Sequence, residues 1–362
     1  MRAAFGAPAE PLSRPQTEPA VLAFLSSPET SLGTPLSLHS LSTAAALALI
    51  DEDMRGMDAV IERRLSSEVA LIGQISRYIV AAGGKRLRPA LLLLVCGALG
   101  YKGEQRFNLA AVVEFIHTAT LLHDDVVDES TLRRGRETAN EAFGNPASVL
   151  VGDFLYSRAF QMMVDAGDMR IMRTLAEATN VIAEGEVQQL MNMHDAGLSE
   201  DEYVRVIRSK TAKLFEASAR LAALLAQSSP EVEAACADYG QALGTAFQVI
   251  DDVLDYDGEV SEMGKNLGDD LREGKVTLPL IIAMQRGTEL ERQTLQLAIE
   301  TGDASKMADI LAIVQRTGAL EATLASAAVQ AQIAVDSISI LPDTVYRQAL
   351  MQLAAQLLGR RA

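Results

Sequence analysis

The chain has 362 residues and 38.8 kDa, room for one large domain and a tail, and no internal change of composition marks a second folded unit. Hydrophobic residues make up 49%, Trp is absent and aromatics are only 4%, which is the profile of a helical protein rather than a β-rich one. A net charge of −16 and a pI near 4.8 exclude a basic nucleic-acid-binding surface, so no nucleic-acid partner is expected; an acidic protein can still hold a diphosphate when metal ions stand between the two anions.

Residues 1–38 are rich in Ala, Pro, Ser and Thr without periodicity, so a disordered extension is expected there and a helical domain over 39–362. Glu10, Glu18 and Glu29 argue against an organelle transit peptide, and no compact apolar segment follows Arg2 as a secretory signal requires. From Ser40 onward, roughly ten to twelve amphipathic helices follow one another between breaks such as Ala82-Gly83-Gly84 and Phe143-Gly144-Asn145-Pro146. Gly83-Gly84-Lys85-Arg86-Leu87-Arg88-Pro89 gathers three cations in a glycine-led turn that opens a helix. Such a turn suits a phosphate, although an ordinary basic helix start has the same pattern. The next apolar run, Pro89 to Tyr101, falls short of the roughly 20 residues of a membrane span and fits a buried core helix. Cys96 and Cys236 belong to no CxxC pattern and fit buried, reduced thiols of a cytoplasmic protein.

The main clue is a pair of acidic clusters set in apolar helical sequence: Asp124-Asp125-Val126-Val127-Asp128 after Leu121-Leu122-His123, and Asp251-Asp252-Val253-Leu254-Asp255 after Phe247-Gln248-Val249-Ile250. Residues i and i+4 share one side of a helix, where like charges repel. Counting roughly 100° per residue, His117 falls on the Asp124/Asp128 face and Gln248 beside Asp255. Carboxylates that border an apolar stripe need cations. Hard oxygen ligands on rigid helices suit Mg²⁺, which keeps its waters and shares its other positions with substrate phosphates. A solvated acidic face explains one such cluster but poorly explains two, and the EF-hand pattern fails for lack of its glycine and closing glutamate.

Arg133 and Arg134 follow the first cluster closely enough to meet a phosphate held there, or to pair with Glu129 or Asp128. One continuous helix is predicted over Asp201 to Gln227, with Tyr203, Ile207, Leu214 and Leu221 within about 40° of one another and Lys210 about 20° beyond them. A lysine at that border either snorkels to solvent or is held for a purpose. Gly264-Lys265-Asn266-Leu267-Gly268-Asp269-Asp270 and Glu273-Gly274-Lys275 form a charged, glycine-rich loop able to close over a diphosphate, or a plain surface loop.

With these residues placed, the chain from Ser40 to its C-terminus resembles the trans-polyprenyl diphosphate synthases, and among them the long-chain octaprenyl and decaprenyl branch. GGKRLRP, EFIHTATLLHDDVVDES, RRG, NPASVLVGDFLYSRAF, AEGEVQQL, SKTAKLFE, GTAFQVIDDVLDY and GKNLGDDLREGKVTLPL occur in the family's order. The resemblance implies an all-α fold, a large single-domain antiparallel helical bundle around a central catalytic cavity (the isoprenoid synthase type I fold), and a homodimer. It implies successive condensation of isopentenyl diphosphate onto an allylic diphosphate such as farnesyl diphosphate. By the same resemblance Asp124 and Asp128 ligate two Mg²⁺, Asp251 and with it Asp255 a third, and Asp125 and Asp252 support them from behind. Lys85, Arg88, His117 and Arg134 hold isopentenyl diphosphate; Arg133, Lys210, Lys265 and Lys275 grip the allylic diphosphate; Lys210, Thr211 and Gln248 sit beside the developing cation.

Short-chain relatives carry large aromatics at the positions of Thr120, one turn or about 5.4 Å before Asp124, and of Ala119, the next residue back, which on an ideal helix points away from that face; both are small here, and the resemblance implies an open tunnel and a product of about 40 to 50 carbons for a quinone side chain. Phe160, Met162 and Met163 are candidates for a deeper floor, or plain core residues. Three rivals remain. A cyclase normally pairs one DDxxD with an NSE or DTE motif, a short-chain synthase is disfavoured by Ala119 and Thr120, and a non-catalytic regulatory subunit usually loses aspartates that are all retained here.

Overall fold

The computed structural model describes residues 43–81, 84–133, 135–257 and 267–359; the extension expected over 1–38 lies outside them. Its first half runs through α1 (Thr43–Ala48), α2 (Asp51–Arg64), α3 (Ala70–Ala81), α4 (Leu87–Ala98) and α5 (Gln105–Val127) to a small hairpin, β1 (Leu132–Arg133) and β2 (Arg136–Glu137). Then follow α6 (Ala139–Phe143), α7 (Asn145–Asp165), α8 (Met169–Met191), α9 (Glu200–Ile207), α10 (Lys213–Leu225) and α11 (Pro230–Leu254). The last part holds α12 (Asp269–Arg272), α13 (Leu278–Arg286), α14 (Glu289–Thr301), α15 (Met307–Arg316), α16 (Ala319–Ser337) and α17 (Val345–Leu358). The all-α expectation holds. The described helices outnumber the ten to twelve expected because pieces as short as α1, α6 and α12 are too brief to show a helical period.

Local chemistry starts the helices where the sequence changes. Ser199 and Thr288 close capping boxes with Glu202 and Glu291 ahead of α9 and α14, and Ser229 caps α11, whose first residue is Pro230. The apolar run that begins at Pro89 is the buried α4, and no helix among the described residues is long and apolar enough to cross a membrane. Both cysteines are buried and free; burial pushes the Cys236 thiol up to about 12.

Two hydrophobic clusters form the interior, and α11 runs through both. Its Tyr239, Leu243 and Ala246 pack with α4, α5, α7 and α10, while its Val249, Ile250 and Val253 pack with α13, α14 and α16. The second aspartate cluster therefore leaves α11 at the end embedded in the second cluster, whereas the first sits at the end of α5 in the first.

The single helix expected over Asp201 to Gln227 is broken. Between α9 and α10, Arg208–Ala212 form a π turn, which inserts an extra residue into the spiral. The stripe residues Tyr203, Ile207, Leu214 and Leu221 are all buried as expected, but a 100° count cannot be carried across the π turn to Lys210. Two glycines grip this turn from either side. A Cβ on Gly185 of α8 would lie 2.9 Å from the Lys210 backbone nitrogen, and one on Gly244 of α11 would lie 2.7 Å from Ala212 Cα. Backbone cannot yield as a side-chain tip can, so Gly244→Ala is expected to cost about 1–3 kcal/mol through overpacking. Urea unfolding measures this directly, and an unchanged midpoint would refute the close approach.

Candidate functional site

α5 ends in the first cluster, and its aspartates have separate surroundings. Asp125 is fully buried, and its Oδ1 accepts from Arg133 Nε at 2.8 Å and Nη2 at 2.7 Å, which ties the hairpin back onto the helix. The partner is neither Glu129 nor Asp128, the two carboxylates the sequence left open for Arg133, because the hairpin turns Arg133 back onto the buried face of α5. Asp128 accepts at 2.8 Å from Lys275 Nζ, which also donates to Glu273 at 2.6 Å. Asp124 lies 4.0 Å from Lys210 Nζ, and that ammonium donates to Glu186 of α8 at 2.6 Å.

The charges show what this crowding costs. Burial holds Asp124 above the usual carboxylate range; Lys210 pulls it down and Asp128 pushes it up. Glu186 is raised for the same first reason, with Lys210 opposing and Asp124 adding to the rise. Burial alone would lower Lys275, yet the Asp128 and Glu273 carboxylates outweigh it and leave that lysine raised. Tyr156 of α7 stands close by, its hydroxyl pushed up to about 12 by burial and then by Asp124 and Glu186.

At the end of α11 the second cluster is built differently. Asp252 is buried and accepts from Tyr203 Oη at 2.5 Å and from Gln248 Nε2 at 2.7 Å; Gln248 Oε1 in turn accepts from Thr211 Oγ1 at 2.9 Å. Burial holds the Asp252 carboxyl at about 7, against the pull of those two hydrogen bonds. Asp255 accepts from the backbone N–H groups of Asp269 at 3.1 Å and Asp270 at 3.2 Å, so it caps α12 and fixes the segment that leads to Lys275. Asp251 is half-buried beside them.

A third group lies below the first cluster. Arg88 Nη1 donates to His117 Nε2 at 3.0 Å, so that nitrogen accepts, and the guanidinium lies over the Phe215 ring with 4.6 Å to its centroid. Burial, partly offset by Glu114, lowers Arg88 to about 10, and its buried Nε has no hydrogen-bond partner. Lys85 is exposed, while Arg134 and Lys265 lie outside the described residues. Ala119 is wholly buried and Thr120 half-buried, its hydroxyl donating to His117 O at 2.8 Å. Met162 and Met163 are core residues, but Phe160 is 39% exposed on the outside of α7 and forms no floor.

A cavity of about 120 Å³ opens beside the second cluster, with Lys210, Thr211, Gln248, Asp252 and Lys275 on its wall beside Leu198, Val206 and Ile207. The sequence reading gave no role to Glu186, Tyr156 or Asp270. The signal for Glu186 was an acid directly after Gly185 inside a helix; Asp270, raised well above the usual range by burial and then Asp255, showed only as one charge in a glycine-rich loop. Among the described residues no three acidic, His or Cys side chains converge to hold a metal by protein atoms alone. That suits Mg²⁺ bound through one or two carboxylates and completed by phosphate and water, and the lysine-paired Asp124 and Asp128 show that the site demands positive charge.

A family model for polyprenyl synthetases matches residues 69–316. The chain is 52% identical over 307 residues to the octaprenyl diphosphate synthase of Escherichia coli (strain K12), covering 84% of this chain and 95% of that protein. Among solved structures it superposes with TM-score 0.84 on a decaprenyl diphosphate synthase from Rhodobacter capsulatus, at 46% identity and covering 88% and 99% of the two chains. It superposes equally, at 44% identity with 89% and 98% covered, on a polyprenyl synthase from Caulobacter crescentus CB15 complexed with calcium and isoprenyl diphosphate. The helical architecture is thus the isoprenoid synthase type I fold.

A carboxyl whose folded pKa is raised contributes a loss of stability as pH climbs past its ordinary value, so at neutral pH the burial of Asp124 costs folding stability. Asp124→Asn is therefore expected to melt no lower than the parent without divalent ions, yet to lose the rise in Tm that Mg²⁺ with inorganic diphosphate produces. Thermal melts with and without these ligands check both halves.

Proposed function

The chain belongs to the polyprenyl synthetase family, and from that premise we propose that it is a long-chain all-trans-polyprenyl diphosphate synthase, adding isopentenyl diphosphate repeatedly to an allylic primer such as farnesyl diphosphate. One observation carries this reading. Two aspartate clusters from α5 and α11 share a site with two half-buried lysines, a polar Thr211–Gln248 pair and an Arg88 whose Nε has no partner.

In this reading Asp124 and Asp128 hold Mg²⁺ on one side and Asp251, with Asp255, on the other, three ions per site. Bound there, the ions neutralise the allylic diphosphate so that its C–O bond can break. The rest falls to the protein. Lys210 and Lys275, which now donate to Glu186, Asp128 and Glu273, would exchange those partners for the allylic diphosphate, together with Arg133 and Lys265. Arg88 directs its unpartnered Nε to isopentenyl diphosphate, with His117, Lys85 and Arg134 beside it. Oxygen atoms of Thr211 and Gln248 face the allylic cation in a cavity whose apolar wall is Leu198, Val206 and Ile207. The proton lost after coupling goes to the departed diphosphate, so no protein base is required.

Chain length follows from the small residues under the first cluster. Ala119 and Thr120 put no large side chain in the way of a growing chain along α5, which supports a product of eight to ten isoprene units, the range of the octaprenyl and decaprenyl relatives, destined for a quinone side chain. A homodimer is supported by the apolar side chains that α7 and α8 expose, among them Leu150 at 66%, Val164 at 63% and Val187 at 59%. The two free thiols support a reducing, cytoplasmic setting.

Incubation of the purified protein with Mg²⁺, isopentenyl diphosphate and farnesyl diphosphate should give an all-trans product of eight to ten units by mass spectrometry, as in the named relatives. A three- or four-unit product would overturn the long-chain assignment, and no product at all the enzymatic one. Ala119→Tyr should shorten the product with folding intact; an unchanged length would remove Ala119 from the tunnel.

A further inference from the structure

We propose that Tyr203 is a positioning residue for prenyl transfer, which acts through Asp252 to fix the end of the Gln248 side-chain amide that faces Thr211. Tyr203 belongs to neither aspartate cluster. It sits on α9, 3% exposed, and its hydroxyl reaches Asp252 Oδ2 at 2.5 Å across 49 positions of sequence.

The two ends of an amide are nearly equal in size, so the partners choose its orientation. In the ionised form, which its hydrogen bonds from Tyr203 and Gln248 favour, Asp252 offers only acceptors, and its Oδ1 accepts a hydrogen bond from Gln248 Nε2 at 2.7 Å. Gln248 Oε1 must then accept from Thr211 at 2.9 Å, which points the Thr211 proton away from the cavity and leaves oxygen lone pairs facing into it. This is the polarity that a carbocation needs. With the amide reversed, Gln248 would turn its N–H toward Thr211, and the cation would meet the positive ends of the dipoles.

Tyr203 keeps the arrangement in one state. Its hydroxyl is the donor on the far side of the Asp252 carboxylate, so Oδ2 is held there and Oδ1 stays aimed at Gln248. Without it, Oδ2 of a buried carboxylate lacks its partner, and the group turns in search of one and releases the amide. The proposal rests on the reading of Thr211 and Gln248 as neighbours of the allylic cation, and the test separates the two.

The full chain carrying Tyr203→Phe is assayed with Mg²⁺, isopentenyl diphosphate and farnesyl diphosphate, at a temperature where circular dichroism shows it folded. Removal of a supporting hydrogen bond should lower kcat about 10- to 100-fold with both KM values nearly unchanged. Because Tyr203 acts through Gln248, the double variant Tyr203→Phe/Gln248→Leu should be no slower than Gln248→Leu alone. A parental kcat in Tyr203→Phe, a loss confined to KM, or a further additive loss in the double variant would each overturn the proposal. Asp252→Asn provides an arm that keeps the tyrosine packing: its amide turns an N–H toward Gln248, so it should reverse that side chain and lower kcat in the same range, and parental turnover there would overturn the proposal as well. If Gln248→Leu itself keeps full kcat, the placement of the cation fails instead, and the proposal falls with it.

Discussion

Everything at the centre of this protein depends on carboxylates held out of water. Asp124, Glu186, Asp252 and Asp270 are all raised above their ordinary range by burial, and Asp128 and Glu273 crowd the same region. A core does not gather such groups for stability, since each costs more to bury than most partners return. Lys210 and Lys275 offset the charge, but they reach it with flexible stems from the π turn and from the segment after α12. Such cations can be traded for metal ions and a polyanion without rebuilding the helices.

The helices supply the rigidity that the charges lack. α11 ties the two hydrophobic clusters together, so its terminal aspartates have little freedom to drift relative to α5. The close approach of Gly185 and Gly244 to the π turn fixes the backbone at Lys210 and Thr211 from two sides. Asp255, by capping α12, fixes the start of the segment that brings Lys275 to Asp128. A π turn and a four-residue helix are poor structures in isolation, and each is held here by contacts remote in sequence.

Much of this was legible before any coordinates. The DDxxD spacing placed Asp124 with Asp128 and Asp251 with Asp255 on helical faces, and the apolar flanks placed them beside a core. The resemblance gave Arg88 and His117 the same ligand, but their hydrogen bond to each other is a product of packing between α4 and α5. Lys210 was legible only as a border residue, because a periodic count assumes a regular helix and the π turn breaks the count at that residue. Glu186, Tyr156 and the hydroxyl of Tyr203 gave little local signal, since a helical acid or a buried tyrosine is ordinary until its distant neighbours are known.

The amino-acid order by itself determined that the chain is helical, that its chemistry lies at two acidic clusters and a set of basic residues, and which family it resembles, because periodicity and ligand spacing are local properties. Only the tertiary structure decided which carboxylate each cation meets, that Asp125 holds Arg133 while Asp255 caps α12, that Phe160 faces outward, and that Tyr203 is wired to Gln248. Those outcomes depend on contacts between separate elements, from the 8 residues between Asp125 and Arg133 to the 147 that separate Lys275 from Asp128. No spacing rule along the chain encodes them; they follow from how α5, α8, α9 and α11 pack against one another.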